Sequence, residues 1–334
     1  ESLYDKLRGK ELVDPESPYH ANQCLYVSEG VEHTPGAATA ELGQNGPVFA
    51  EVIVRSALKN TNVVSTITLY AQHDRVDLRN ELEKAVTSEK QELDFAFPFS
   101  VPDRQYRFEA PGAIITPGDD QLPGSGQAVT AVRHFVDVFN SDYGVTLSQA
   151  DSGLVEFGHR TTTEDPVEPD MSNSTVFAMA LDNTFDWNEA IRDQAGDTHF
   201  VFRYSLCGHA GNFDPVAAVR FGWDDNNALL SVPLPAGQQG VLPADAHGFV
   251  SISKANVVLA GLKTAEEDGL ILRLWECAGD DTTAVVSLEG LGPLATARCT
   301  DLMEHDLADL MVTGNAVEVN VSARGVTTIR LILE

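Results

Sequence analysis

Cysteine is scarce in this chain: four residues, Cys24, Cys207, Cys277 and Cys299, among 334. They are too few for a disulfide scaffold and too scattered for a zinc ribbon, so buried free thiols are expected, with one disulfide left open. Positive charge is scarce as well. Against 50 Asp and Glu stand 22 basic residues, 15 Arg and 7 Lys, giving a formal net charge of −28. That excess repels a nucleic-acid backbone and an anionic bilayer, so neither is expected as a partner. An acidic, lysine-poor surface fits a chain that folds in high salt, where ions screen self-repulsion; an ordinary acidic cytoplasmic protein fits too. No apolar run approaches the roughly 20 residues of a membrane span. The start, Glu1-Ser2-Leu3-Tyr4-Asp5-Lys6-Leu7, is neither basic nor followed by an apolar segment, so no signal peptide is read and a cytoplasmic location is expected. With no initiator Met, the chain reads as processed or truncated.

Several catalytic signatures are missing. There is no Gly-rich phosphate loop, no Gly-x-Ser-x-Gly elbow, no calcium loop and no zinc-protease histidine spacing. No sustained helical period occurs either. What does recur is alternation. In Gln91 to Phe99, the side chains of Leu93, Phe95, Phe97 and Phe99 fall on one face and Glu92 and Asp94 on the other. This is a half-buried strand, and Pro98, which lacks an N–H, marks an edge or an interruption. Val48, Ala50, Val52 and Val54 repeat the pattern, as do Val132, Val136 and Val138, and Phe200, Phe202, Tyr204 and Leu206. The polar segment 161–174 reads as a surface loop, and the Pro- and Gly-rich stretch from Pro233 to Gly248 as a boundary. Val317, Val319 and Val321, a turn at Ala323-Arg324-Gly325, and Thr327 to Leu333 read as a closing hairpin. Thr300 to Glu304 fits a short helix or a strand equally. The fold class is all-β, as a large sandwich and a small one, with room in 36.1 kDa for both cores.

Candidate sites are sparse. The doublets Asp119-Asp120, Asp224-Asp225 and Asp280-Asp281 read as turns or solvated loops, because adjacent strand residues point to opposite faces and do not make a glycosidase pair. Trp187, Trp223 and Trp275 are the only indoles. An indole in a β protein is more often packing than platform. Trp223 is nevertheless the best sugar-stacking candidate, with Asp224 and Asn226 beside it to bond hydroxyls, and His209 is a further carbohydrate-contact candidate. No catalytic residue and no metal ligand is assigned.

Several stretches, in order, resemble the C-terminal region of family 38 glycoside hydrolases, the retaining α-mannosidases. They are Phe95-Ala96-Phe97-Pro98-Phe99, Gln121-Leu122-Pro123-Gly124-Ser125 and Leu154-Val155-Glu156-Phe157-Gly158. Phe202 to Leu206 with His209 and Gly211 is similar to the family's Tyr-x-Leu-x-x-His-x-Gly stretch. Val257 to Lys263, Leu272 to Glu276 and the final Thr328-Ile329-Arg330-Leu331 complete the likeness, which covers residues 45–334. At Ala178-Met179-Ala180-Leu181-Asp182 the chain departs from the family's Leu-Leu-Arg strand. The resemblance implies a large galactose-mutarotase-like supersandwich over 45–248 and a small β-sandwich over 249–334. Residues 1–44 would be the end of a preceding β domain and a linker.

It also implies an N-terminal catalytic barrel as partner, holding zinc, the Asp nucleophile and an acid/base carboxylate, none of which has a counterpart here. The expected function is therefore that of the non-catalytic β domains of an α-mannosidase, supporting the barrel and lining its cleft. Mannose-containing saccharides are the implied ligands and a homo-oligomer the implied assembly. The alternative is an autonomous carbohydrate-binding protein without hydrolase activity.

Overall fold

The computed structural model describes residues 2–160, 171–184, 194–235, 237, 240, 242, 243 and 245–334. The chain divides into two compact units, Glu1–Ala110 with Ile114–Ala228, and Pro111–Ala113 with Leu229–Glu334. The division at Ala228 falls earlier than the expected boundary at 248. Of the expected 161–174 loop, residues 161–170 lie outside the described residues, as does Trp187.

The strands begin with β1 (Tyr4–Asp5), β2 (Lys10–Glu11), β3 (Gln23–Ser28), β4 (Val31–His33), β5 (Thr39–Asn45) and β6 (Phe49–Leu58). Next come β7 (Thr61–Tyr70), β8 (Arg75–Lys84), β9 (Gln91–Pro98), β10 (Gln105–Ala110), β11 (Ala113–Ile115) and β12 (Thr130–Ala131). β13 (Phe135–Phe139), β14 (Tyr143–Gln149), β15 (Leu154–Phe157), β16 (Thr175–Asp182) and β17 (His199–Ala210) follow. One α-helix stands among the described residues, α1 (Pro215–Asn226).

A nine-stranded sheet has the order β11-β10-β13-β14-β17-β8-β7-β6-β5, and a six-stranded sheet the order β12-β15-β16-β9-β3-β4. Their apolar faces meet in one core. Phe95 packs 6.2 Å from Phe202 and 5.5 Å from Tyr204, and Phe97 packs 5.1 Å from Tyr204, centroid to centroid. Tyr106 and Phe108 reach across to Phe157. Each such fully buried ring contributes about 1.5–3 kcal/mol. The large all-β sandwich is therefore observed.

Two expectations are corrected here. Residues 1–44, expected as the end of a preceding β domain and a linker, contribute to the large sandwich itself, because β3 pairs with β9 inside the six-stranded sheet and β5 forms the edge of the nine-stranded one. β9 is not half-buried either: every residue from Gln91 to Pro98 is buried, Asp94 completely. It is an interior strand whose polar face is also covered, so Pro98 marks its end and not a sheet edge.

In the second unit the strands are β18 (Val250–Ile252), β19 (Val257–Thr264), β20 (Leu270–Glu276), β21 (Thr282–Leu288) and β22 (Leu294–Thr300). β23 (Asp306–Leu310), β24 (Val312–Thr313), β25 (Ala316–Val321) and β26 (Val326–Leu333) complete it. Two sheets, β18-β21-β25-β24 and β19-β20-β26-β22-β23, enclose Leu272, Leu274, Val286, Val317, Val319 and Ile329. The expected closing hairpin is instead a crossing between sheets. β25 pairs with β21 and β24, and β26 pairs with β20 and β22. The turn between them is closed by Gly325, whose N–H donates to Ser322 O at 2.8 Å. Asp301 to Glu304 is neither helix nor strand but a turn between β22 and β23, with Leu302 and Met303 exposed.

Candidate functional site

The polar chemistry of the first unit gathers on the face of the nine-stranded sheet turned away from the core. Alternation places it there. With Phe202, Tyr204 and Leu206 in the core, Arg203, Ser205, Cys207 and His209 of β17 must point outward. Helix α1 packs over β13 and β14 on this face. Its start is built by Asp214, whose Oδ1 accepts from Val216 N at 2.9 Å and Ala217 N at 3.1 Å, with Pro215 at the first helical position. Gly222 permits the close approach: a Cβ there would lie 3.1 Å from His134 Cβ and 3.2 Å from Phe135 Cδ1.

Three clusters result. In the first, Trp223 Nε1 donates to Glu109, 3.0 Å from Oε1 and 3.2 Å from Oε2. His134 Nδ1 lies 3.0 Å from Glu109 Oε1, and the imidazole meets the indole edge to face at 5.5 Å. In the second, Ser205 Oγ lies 2.7 Å from both Asp77 Oδ1 and Asp225 Oδ1. A hydroxyl has one proton to donate. Arg75 holds the two carboxylates together, with Nε 2.7 Å from Asp77 Oδ1 and Nη2 3.0 Å from Asp225 Oδ1.

Burial pushes the Asp77 carboxyl up, but Arg75, the Tyr70 hydroxyl and Ser205 hold it below its ordinary value. The Tyr70 hydroxyl, buried and donating to that carboxylate at 2.6 Å, is pushed up to about 12. In the third cluster His209 Nε2 lies 3.2 Å from Asp137 Oδ1, while Thr146 donates to Asp137 Oδ2 at 2.5 Å. Burial lowers the His209 pKa, and the Asp137 carboxylate more than offsets this, leaving it raised.

The four carbohydrate-contact candidates are thus only partly brought together. Trp223, Asp224 and Asn226 sit on α1, which corrects the loop expected at Asp224-Asp225: the helix signal was Asp214-Pro215. Trp223 is half-buried with its N–H committed to Glu109, Asp224 is exposed, and Asn226 Nδ2 donates to Ser148 Oγ at 3.1 Å and Gly222 O at 2.8 Å. His209 belongs to the separate Asp137 cluster. Trp275 is buried in the second unit. Glu109, Asp137, Asp77 and Arg75 were not singled out, since each meets its partner only through the sheet registers and the helix.

A fourth cluster, also charged, lies on the polar face of β9. Arg160 Nη1 donates to Asp94 Oδ2 at 2.8 Å and Nη2 lies 3.1 Å from Glu32 Oε2. Burial and the adjacent Glu92 carboxylate raise the Asp94 pKa well above the ordinary value, and burial raises Glu92 too. All four cysteines are free thiols. Among the described residues, no three His, Cys, Asp or Glu side chains are grouped to hold a metal ion.

In these clusters donors and carboxylates hold one another in a polar layer that is not fully satisfied: Asp225 Oδ2, His209 Nδ1, Asp94 Oδ1 and Glu92 Oε1 are buried without a hydrogen-bond partner among the described residues. The family model described as Glycosyl hydrolases family 38 C-terminal domain matches residues 16–153. That described as Glycosyl hydrolases family 38 C-terminal beta sandwich domain matches residues 256–329. An alpha-mannosidase from Enterococcus faecalis V583 superposes with a TM-score of 0.72 at 12% identity, covering 100% of this chain and 40% of that one. A glycosyl hydrolase family 38 protein from Enterococcus faecalis does so with a TM-score of 0.72 at 13% identity, covering 100% and 42%. The chain thus spans less than half the length of these two structures. No curated protein matches its sequence.

Proposed function

Because the chain belongs to the glycosyl hydrolases of family 38, as their C-terminal β region, we propose that it is the non-catalytic β portion of a retaining α-mannosidase. In this reading it braces a separate N-terminal catalytic barrel and lines one wall of the cleft. Hydrolysis of mannose-containing saccharides belongs to the whole enzyme, through barrel carboxylates and a zinc ion held in the barrel. This chain alone is inert, and self-association through its β regions requires salt to screen the repulsion between bodies of net charge −28.

The observation that carries the reading is order: the two family matches follow one another along the chain, first the large domain and then the terminal sandwich. The polar layer supports a bracing role. Glu109 accepts from Trp223, and Asp225 accepts from Ser205 and Arg75, an arrangement that fixes α1 on its sheet. The autonomous binding module is disfavoured by the same contacts, because the Trp223 N–H that a sugar hydroxyl would use is taken by Glu109.

Calorimetry with mannose and mannobiose tests the choice. The chain alone is expected to show no sub-millimolar binding. Sub-millimolar binding that is lost in both Trp223→Ala and the exposed-site variant Asp224→Ala would make the chain a binding module instead.

A further inference from the structure

On the core side of the nine-stranded sheet, one cross-strand row runs Leu42, Val52, Ile67, Leu78, each residue directly opposite the next. Exposure climbs along it, from 4% at Leu78 to 37% at Val52 and 66% at Leu42. In the adjacent row, Ala50, Leu69, Val76, Leu69 is 48% exposed between the half-buried Ala50 and Val76. The opposite face of these strands carries Glu41, Glu51, Arg55, Thr66 and Thr68, together with the partly buried Phe49, Ile53, Val64 and Tyr70. The alternation of β5, β6 and β7 is therefore partial: one face is a continuous apolar row and the other mixes apolar with charged residues. Their apolar side starts under the six-stranded sheet and runs on into solvent. Beside Leu69 a cavity of about 430 Å³ has a mixed lining, apolar at Leu3, Leu12, Leu69 and Leu206 and charged at Asp5, Lys6, Arg8, Asp74 and Arg75. Tyr4 and Leu7, also exposed, carry the apolar surface onto the β1–β2 hairpin.

We propose that this surface, the apolar face of β5–β7 together with the hairpin cavity, is where the region preceding the C-terminal domains in family 38 enzymes docks. The inference rests on the functional reading above and names the face that the catalytic region uses. Three observations favour that occupant. The matched structures extend well beyond this chain, which covers 40% and 42% of them. The family's own description puts these domains at the C-terminal end, so the remainder precedes them.

Leu3 and Tyr4 line the cavity, so under the functional reading above the preceding region joins the chain beside this face. Such a tether gives an effective concentration on the order of millimolar, enough for a modest apolar contact to persist. A second copy of this chain is the poorer occupant, because two bodies of net charge −28 repel. Contiguous apolar surface of this kind marks an interaction site.

Amide hydrogen exchange tests the inference on two proteins: this chain, and the chain extended by the coding sequence upstream of Glu1. In the extended protein the amides of β5–β7 are expected to exchange about tenfold more slowly, or slower still. The double variant Leu42→Glu, Leu69→Glu should cancel that protection while leaving the exchange of the shorter chain's core unchanged. Equal exchange in the two proteins overturns the inference. So does concentration-dependent protection of the same strands in the short chain, which would mean a second copy sits there, and so does an upstream sequence that encodes no further domain. Activity of the extended protein on an aryl α-mannoside without protection defeats the docking face alone. Protection without activity defeats the mannosidase reading alone.

Discussion

The indole N–H of Trp223 points at a carboxylate, Glu109, that is 1% exposed and lies 114 residues earlier in the chain. Replacing Trp223 by Phe keeps most of the ring and removes that donor, leaving His134 as the remaining side-chain partner shown for the carboxylate. Leaving a buried acceptor short of a donor costs about 1–3 kcal/mol. Urea denaturation of Trp223→Phe is expected to show a loss in that range. An unchanged midpoint would mean that the indole is not needed to hold α1 on the sheet.

His209 and Asp137 make stability depend on pH near neutrality. Because the folded His209 pKa is raised, its contribution is fully present below the unfolded value of about 6.5 and is lost as pH rises through the folded value. The melting-temperature gap between the parent and His209→Gln should therefore be largest below about pH 6 and shrink above it. Gly144 lies under the imidazole, and a Cβ there would collide with the His209 ring and sit 2.6 Å from Phe139 Cβ. Gly144→Ala should cost about 1–3 kcal/mol and flatten the same pH-dependent component. A gap that does not vary with pH would disprove the pairing.

Asp94 works with the opposite consequence for a carboxylate. Its folded pKa lies well above the unfolded one, so it favours folding in acid, and that contribution is lost as pH rises from about 4 through the folded value. Asp94→Asn removes the titration. Measured by denaturant midpoint, the variant should gain on the parent steadily as pH rises above about 4. A parent that gains on the variant with rising pH would refute this.

Glu276 organises the second unit's loops. Its Oε1 accepts from Asn256 Nδ2 and Ala278 N, both at 2.8 Å, and Oε2 accepts from Gly279 N at 2.8 Å, Asp280 N at 3.1 Å and Arg324 N at 2.9 Å. Burial raises its pKa, yet these donors leave it below the ordinary value. The stabilisation is present above the unfolded pKa of about 4.3 and is lost as pH falls through the folded one. Glu276→Gln sets an amide against backbone donors and should destabilise by about 1–3 kcal/mol at neutral pH, less in acid. Thermal melts at pH ~7 and pH ~3 separate the two cases, on either side of that titration. Equal losses at both would contradict the assignment.

Strand placement was legible because alternation is local: Leu93, Phe95 and Phe97 pack inward wherever β9 lies in its sheet. What the outward residues meet is not local. Glu92 and Asp94 looked solvated because nothing in their own strand records that Arg160 closes over them. Helix α1 was missed because its buried residues, Ala218, Val219 and Gly222, are small and few, although Asp214-Pro215 carried a start signal. The closing strands, β25 and β26, were read correctly as strands but wrongly as a hairpin, since a tight turn joins strands of one sheet or of two equally well. Trp223 was found by residue type; its partner required the register that brings β10 beside β13.

The central claim is that this chain supports, and does not perform, mannoside hydrolysis. Its most direct test is release of the phenol from an aryl α-mannoside, with added zinc, by the purified chain and by the protein extended upstream of Glu1. The account predicts no release above buffer for the chain and zinc-dependent turnover for the extended protein. Zinc-dependent turnover by the chain alone would contradict it.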